Sequence, residues 1–332
     1  MNGEINRLIE TLSTNPALSQ EFESNPTEVI GQLGIKLSDR STRVVENMKF
    51  HKRKPRYVKN LFSGALNTLN SERDRILSTY LGILMSQYCD CLLEAEKCRR
   101  SLKLSNGIVT SPMFTLLPVL IANEGVSRQD QTRITVIYSL MCDACIGMDR
   151  LIDGDTTIDS KKVLDLFTGL AHFQELMTEF DKDLHSKWSR RFTEFIRAAH
   201  EELKEEGKKN ISLSATDHER LSRMKHEIFF FAIDLTCNLV PYDVAEAEKC
   251  LTYYFNGVQL FDDLIDADVD LRAGRQSYVL TELASANGDL SGKKEKLRLQ
   301  TINYYKQAVL SCPQSLSALH GHFSFLSDLI QH

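Results

Sequence analysis

Apolar and polar positions in this chain never alternate strictly between Asn-Gly or Asp-Gly turns, which is the pattern a β-hairpin needs. The apolar residues lie instead in long stretches with few breaks. Of seven prolines, none falls between Pro118 and Pro241. Proline breaks helix interiors, so that interval is free for several long helices. The pattern predicts an all-α chain. Helices are expected near 57–70, 71–103, 111–124, 127–153, 159–206, 215–239, 243–270, 276–287, 293–311 and 313–330. Upstream, Asn15-Pro16 and Asn25-Pro26 each read as a capped helix entry, and Gly34 as a helix stop. The chain therefore divides into a short helical N-terminal segment with a basic linker, 1–50, and a helical domain, 51–332.

Two of these helices end in a way that a purely structural helix would not. One runs through Tyr138, Leu140, Met141, Ala144, Cys145, Ile146 and Met148 into Asp149 and Asp153. The two carboxylates are four residues apart and leave the same face. The other runs through Tyr253, Tyr254, Phe255, Val258, Leu260 and Phe261 into Asp262, Asp263, Asp266 and Asp270. Apolar helices are buried, and burying like charges is costly unless something cationic compensates. Two such carboxylate clusters, each ending an apolar helix, fit Mg²⁺, a hard ion that takes carboxylates, waters and phosphate oxygens.

Composition narrows the classes further. The chain has 332 residues, 42% of them hydrophobic and 26% charged, with a net charge of −5. That excludes collagen-like, disordered and small disulfide-scaffold proteins. A mildly acidic chain is a poor nucleic-acid binder. No stretch reaches the roughly 20 apolar residues of a bilayer span, and Met-Asn-Gly-Glu does not start a signal peptide. Eight cysteines without a disulfide framework point to reduced thiols and a cytoplasmic location. The basic run Lys49 to Lys59 reads as a solvated linker. The stretch Asn15–Ile35 resembles the leader-like segments of peptide-natural-product precursors, but a helical N-terminal cap is the preferred reading.

The motifs taken in order resemble those of the trans-isoprenoid synthase superfamily over about residues 70–332. Gln259, Asp262, Asp263 and Asp266 match its second aspartate-rich motif. Asp149, Arg150 and Asp153 match the first, with its second Asp replaced by Arg. Between them, Met224-Lys225-His226-Glu227-Ile228-Phe229-Phe230 resembles the Lys-Thr-x-x-Leu-Phe helix, whose Lys contacts substrate diphosphate. The resemblance implies an isoprenoid-synthase-like bundle around a central cavity. It implies Mg²⁺, three ions with Mn²⁺ as a substitute, held by Asp149, Asp153, Asp262, Asp263 and Asp266. It also implies a prenyl diphosphate substrate contacted by Lys225, Arg275, Gln259, Phe229 and Cys145. A homodimer is compatible with it.

Departures from the pattern shape the functional expectation. Chain-elongating prenyl diphosphate synthases carry a basic motif for isopentenyl diphosphate where this chain reads Ser111 to Pro118, with no basic residue. Their Arg pair is matched here by Thr156 to Ser160. Without those cations a second diphosphate is poorly held. The sequence therefore favours a class I terpene synthase, which ionises a single prenyl diphosphate and releases diphosphate. The alternatives are a prenyltransferase, chain-elongating or head-to-head, and a non-catalytic regulatory subunit. Asp266, Asp270, Gly274, Arg275 and Tyr278 approach the squalene- and phytoene-type pattern. Arg150, which could neutralise Asp153, motivates the regulatory subunit.

Smaller signals receive plain readings. Cys142 and Cys145 form a mid-helix CxxC that packs or lines a pocket rather than binding zinc. His320 and His322 are expected at the surface. Of Phe229, Phe230 and Phe231, Phe229 stands one turn beyond Lys225 and is the one expected to face a cavity.

Overall fold

The computed structural model describes Thr11, Leu18, Glu21, Phe22, 25–34, Tyr80, Leu84, 87–102, Leu104, 112–122, 125–152, 159–205, 212–273, 277–286 and 289–331. Asp153, Gly274, Arg275 and the stretch 156–158 lie outside the described residues, as do the basic run, the predicted helix 57–70 and most of the leader-like segment. The described elements are α1 (Pro26–Gln32), α2 (Cys89–Ser101), α3 (Pro112–Thr115), α4 (Leu117–Ala122), α5 (Arg128–Ile152), α6 (Ser160–Phe180) and α7 (Leu184–Glu205). They continue with α8 (Ala215–Lys225), a 3-10 turn (Glu227–Phe230), α9 (Phe231–Thr236), α10 (Val244–Ala273), α11 (Tyr278–Ala284), α12 (Leu290–Ser311) and α13 (Ser317–Gln331). No strand occurs among the described residues, as the absence of alternating patterns predicts.

The core follows from helical periodicity. On α5, Ile134, Ile137, Tyr138, Met141, Cys142 and Cys145 recur at steps of three and four and are fully buried. Each such side chain contributes roughly 1.5–3 kcal/mol of burial. They pack with Phe229, Phe230, Phe231, Leu251, Tyr254, Phe255, Leu319 and Phe323 in one continuous core. Helix α5 runs between α2 and α6, and α10 lies along α12. At Gly257 a Cβ would come within 3.2–3.3 Å of Tyr304 and Tyr305, so the absence of a side chain is what lets α10 and α12 approach so closely.

Four predicted helices are broken: the one expected over 111–124 divides at Leu116 into α3 and α4, and within the expected 71–103 a turn at Tyr88 precedes α2. The expected single helix 159–206 divides at Asp181, whose backbone is extended and whose Oδ1 accepts the Asp183 amide at 2.9 Å. That side chain offers the backbone a turn in place of the next helical bond. The expected helix 215–239 becomes α8, the 3-10 turn and α9. Helix α8 starts at a reciprocal cap, in which the Ser214 side chain accepts the Asp217 amide and Asp217 accepts the Ser214 amide. It ends at His226, directly after Lys225.

The break is held by a buried ionic cluster. Arg191 of α7, 1% exposed, donates to Glu227 at 2.6 Å, to Asp234 through two nitrogens, and to Glu248 of α10 at 2.8 Å. Arg223 pairs with Glu227 and lies 3.6 Å from the centroid of the Phe230 ring. On the opposite side the Tyr138 hydroxyl donates to the Phe229 carbonyl at 3.0 Å. Helices α5, α7 and α8 thus hold one irregular turn directly, at the point where α8 ends.

Candidate active site

Helix α5 delivers Asp149 in its last turn, three residues before its end, and α8 delivers Lys225 as its last residue. The Lys225 Nζ is 3.9 Å from Asp149 Oδ1, and both side chains are about a quarter exposed. Across from them stands α10. Asp262 is solvent-accessible yet crowded by protein on most sides. Burial pushes its carboxyl up to about 6, and Asp266, Asp270 and Asp149 push in the same direction while Lys225 opposes them. The charges of both apolar helices therefore act on one another.

Asp263 points inward from the same turn. Its carboxyl is largely buried and is raised to about 7, chiefly by burial, although the Gln259 amide donates to it at 2.7 Å. Gln259 thus acts first on Asp263, one turn further along its own helix. His218 Nδ1 lies 3.9 Å from the other Asp263 oxygen. Asp266 and Arg150 are both exposed, whereas Asp149 turns toward Lys225.

Below the acidic rim the site is aromatic and apolar. Cys145, one turn before Asp149, is fully buried, and burial together with the Asp149 charge pushes its thiol well up. It is an inert, buried thiol, not a nucleophile. Phe229 stacks on Phe114 at 4.6 Å and on Phe255 at 5.4 Å between centroids, so it belongs to an aromatic layer joining three segments. Phe255 sits two turns before Asp262 on α10.

Of the expected site residues, the structure brings together Asp149, Lys225, Asp262 and Asp263, with Gln259 against Asp263. Asp266 follows one turn on. Phe229 and Cys145 form the layer beneath. Among the described residues no three carboxylate, histidine or cysteine groups converge closely enough to hold a metal ion. The donor set nevertheless fits a hard divalent cation. Its members are carboxylates only, they come from two facing helices, and their mutual repulsion raises Asp262.

Sequence reasoning missed two features. His322 is not at the surface: it is 1% exposed, and its Nδ1 is 2.7 Å from the Tyr80 hydroxyl. Only His320 is exposed, as expected. The Arg191 cluster was also unforeseen, because its members are scattered from 191 to 248 with no motif spacing. Cys142 is buried in the core, as the packing reading required, with its thiol pushed far up by burial.

Among the described residues no helix is long and apolar enough to cross a membrane. No protein-family profile matches the chain, and no curated protein matches it. Solved structures do. A geranylgeranyl pyrophosphate synthetase from the archaeon Geoglobus acetivorans is 17% identical over 73% of this chain and 98% of its own, with a TM-score of 0.54. A geranyltranstransferase from Thermotoga maritima is 15% identical over 72% of this chain and 96% of its own, with a TM-score of 0.52. A geranylgeranyl pyrophosphate synthetase from Pyrococcus horikoshii is 13% identical over 88% of this chain and 98% of its own, also with a TM-score of 0.52. The fold of this chain is that of the trans-isoprenoid synthases.

Proposed function

We propose that the chain is a prenyltransferase acting on prenyl diphosphates, with chain elongation as its leading reaction. The observation that carries this reading is the Lys225–Asp149 contact at 3.9 Å, placed where both groups act on Asp262. A cation framed by carboxylates from two helices suits a substrate that is anionic at one end, and the aromatic layer beneath suits its hydrocarbon tail. Support also comes from the structurally similar proteins, which are named for prenyl transfer. On that point the reading departs from the sequence-based preference for a terpene synthase.

Asp149, Asp262 and Asp266, with Asp153 from the same motif, would hold Mg²⁺. When bound, Mg²⁺ neutralises diphosphate oxygens and makes diphosphate a better leaving group. Lys225 donates to the diphosphate and stabilises the charge that grows as the carbon–oxygen bond breaks. Asp263, held by Gln259, keeps the turn of α10 in register. Phe229, Phe114 and Phe255 exclude water and present ring faces to the allylic cation.

One observation favours a second reading. The stretch from Ser111 to Pro118 and that from Thr156 to Ser160 contain no basic residue for a second diphosphate. A terpene synthase, which ionises one substrate, needs none. Incubation with ten- to twenty-five-carbon prenyl diphosphates, with and without labelled isopentenyl diphosphate, tests both. Label in a longer prenyl diphosphate supports elongation. A hydrocarbon or alcohol formed without label supports the second reading. No diphosphate release from any substrate overturns both and leaves the regulatory subunit.

A further inference from the structure

The contact between Lys225 and Asp149 joins a fixed backbone to a movable charge. Nζ lies 3.9 Å from Oδ1, and both side chains are about a quarter exposed. The same ammonium acts on Asp262 and Asp263 of α10. The main chain beneath Lys225 is held in place. The His226 amide donates to the Ser222 carbonyl at 3.0 Å, and Arg191 and Tyr138 hold the turn that follows. The side chain has no such restraint. Lysine is a point charge on a flexible four-carbon stem, with three rotatable donors. Its ammonium can therefore pass from one oxygen to another without any movement of α8. Arg150, next to Asp149 on α5, carries the same charge on an exposed side chain.

We propose that Lys225 is an exchangeable counter-ion of Asp149: it opposes a divalent cation at that carboxylate until a diphosphate draws it away, so that metal and diphosphate enter the site together. This rests on the reading of the site as one that takes a prenyl diphosphate. Ammonium and metal are two positive charges competing for one carboxylate. A metal ion arriving alone must displace Lys225 and lose its contact, or stand beside it and be repelled. A diphosphate oxygen offers the ammonium another anionic partner. Once Lys225 has passed to that oxygen, Asp149 is left to the metal and the repulsion is relieved. By linkage, each ligand then raises the affinity of the other by the same factor. The exchange also bears on turnover. Lys225 trades one anionic partner for another, so its net gain in the ground state is small, and its full effect appears as charge grows on the leaving oxygen.

The test measures Mn²⁺ binding to the full chain from the loss of the free ion's electron paramagnetic resonance signal. Mn²⁺ is titrated alone, then with inorganic diphosphate against a protein-free control. Wild type is compared with Lys225→Gln, Lys225→Met, Lys225→Arg and Arg150→Gln, each checked for its thermal midpoint. Without diphosphate, Lys225→Gln and Lys225→Met bind Mn²⁺ roughly fivefold more tightly than wild type, the ceiling for a part-exposed ion pair. Lys225→Arg keeps the competing charge, and Arg150→Gln keeps the contact, so both stay within about twofold of wild type. With diphosphate the advantage of the two neutral variants disappears, because the wild-type ammonium has moved. A merely structural role for Lys225 would weaken metal binding instead. Neutral variants that bind Mn²⁺ no more tightly than wild type overturn the proposal, and either one decides alone if the other does not fold. An equal gain in Arg150→Gln overturns it too, since net charge then accounts for the effect. So does a gain that persists undiminished with diphosphate. In all three cases the functional reading stands. A wild-type protein that gathers no Mn²⁺ even with diphosphate overturns that reading and the exchange together.

Discussion

Lys225 ends α8 with its Nζ 3.9 Å from Asp149 Oδ1 on α5, although the two residues lie on opposite sides of two intervening helices in the sequence. The contact exists because α8 stops there. A continuous α-helix through 239 would turn the residues that follow to another register. The 3-10 turn, with Glu227 bound to Arg191 and the Phe229 carbonyl bound to Tyr138, keeps the end of α8 facing α5.

This contact gives the first prediction. Lys225→Ala is expected to lower kcat by about 10²–10³-fold, the range for losing one preorganised stabilising donor. KM should change far less, because the charge it opposes develops in the transition state. Steady-state kinetics with the thermal midpoint checked measures this. A variant with unchanged kcat places Lys225 outside the reaction.

The carboxylates of α10 give the second. Asp262→Asn is expected to remove most turnover, as is Asp266→Asn, and excess EDTA should do the same to the wild-type protein. Asp262 also makes an opposite prediction for stability. Its carboxyl is raised from 3.8 to about 6 by burial and by Asp266, so the unfolded chain ionises first, stability falls between pH 3.8 and 6, and the full penalty stands above pH 6. Asp262→Asn should therefore raise the thermal midpoint above pH 6 while lowering activity. A midpoint that falls instead shows that Asp262 supports the fold. Full turnover in EDTA removes the metal from the reading.

The fold was legible where one helix contains its own instructions. Helices α5, α10 and α12 begin and end within a few residues of their predicted bounds, because apolar runs and caps are local. The breaks within 159–206 and 215–239 were not legible in that way. The one at Asp181 depends on a side-chain turn that competes with an ordinary helical bond. The one at His226 is imposed by Arg191, thirty-odd residues upstream, and by Tyr138 still further away. The acidic rim could be read because its carboxylates repeat at helical spacing. His226 could not, since a histidine at a helix end gives no sign of its tautomer until the Ser222 carbonyl is in place.

A third prediction concerns Arg191. It is the cation shared by Asp234, Glu227 and Glu248, and replacing one partner of a buried ion pair leaves the others uncompensated. Arg191→Met should cost about 3–5 kcal/mol of unfolding free energy. Arg191→Lys should recover only part of that, because one ammonium cannot reproduce the planar fork that reaches three carboxylates. Urea unfolding at pH 7 measures both. A loss below about 1 kcal/mol for Arg191→Met shows that Arg223 alone suffices to hold the turn.

The fourth prediction concerns acid and His322. Burial depresses its ring from 6.5 to about 3, and the ring is wedged between the Tyr80 hydroxyl and the Tyr254 and Phe323 rings. A depressed histidine contributes stability that is complete above its unfolded value of 6.5 and is lost as pH falls toward the folded value. Below pH 6.5 the unfolded chain takes up a proton that the native ring refuses. The loss is about 1.4 kcal/mol per pH unit for one such ring. His226, depressed to about 3 for the same dominant reason, adds its own share. His322→Asn keeps an amide oxygen within reach of Tyr80 but cannot take up the proton, so it should remove about half of the histidine contribution between pH 6.5 and 5. Urea unfolding of wild type and variant at half-unit steps across that window measures the difference in slope. Parallel curves for the two proteins show that His322 is already protonated, or already exposed, in the native state.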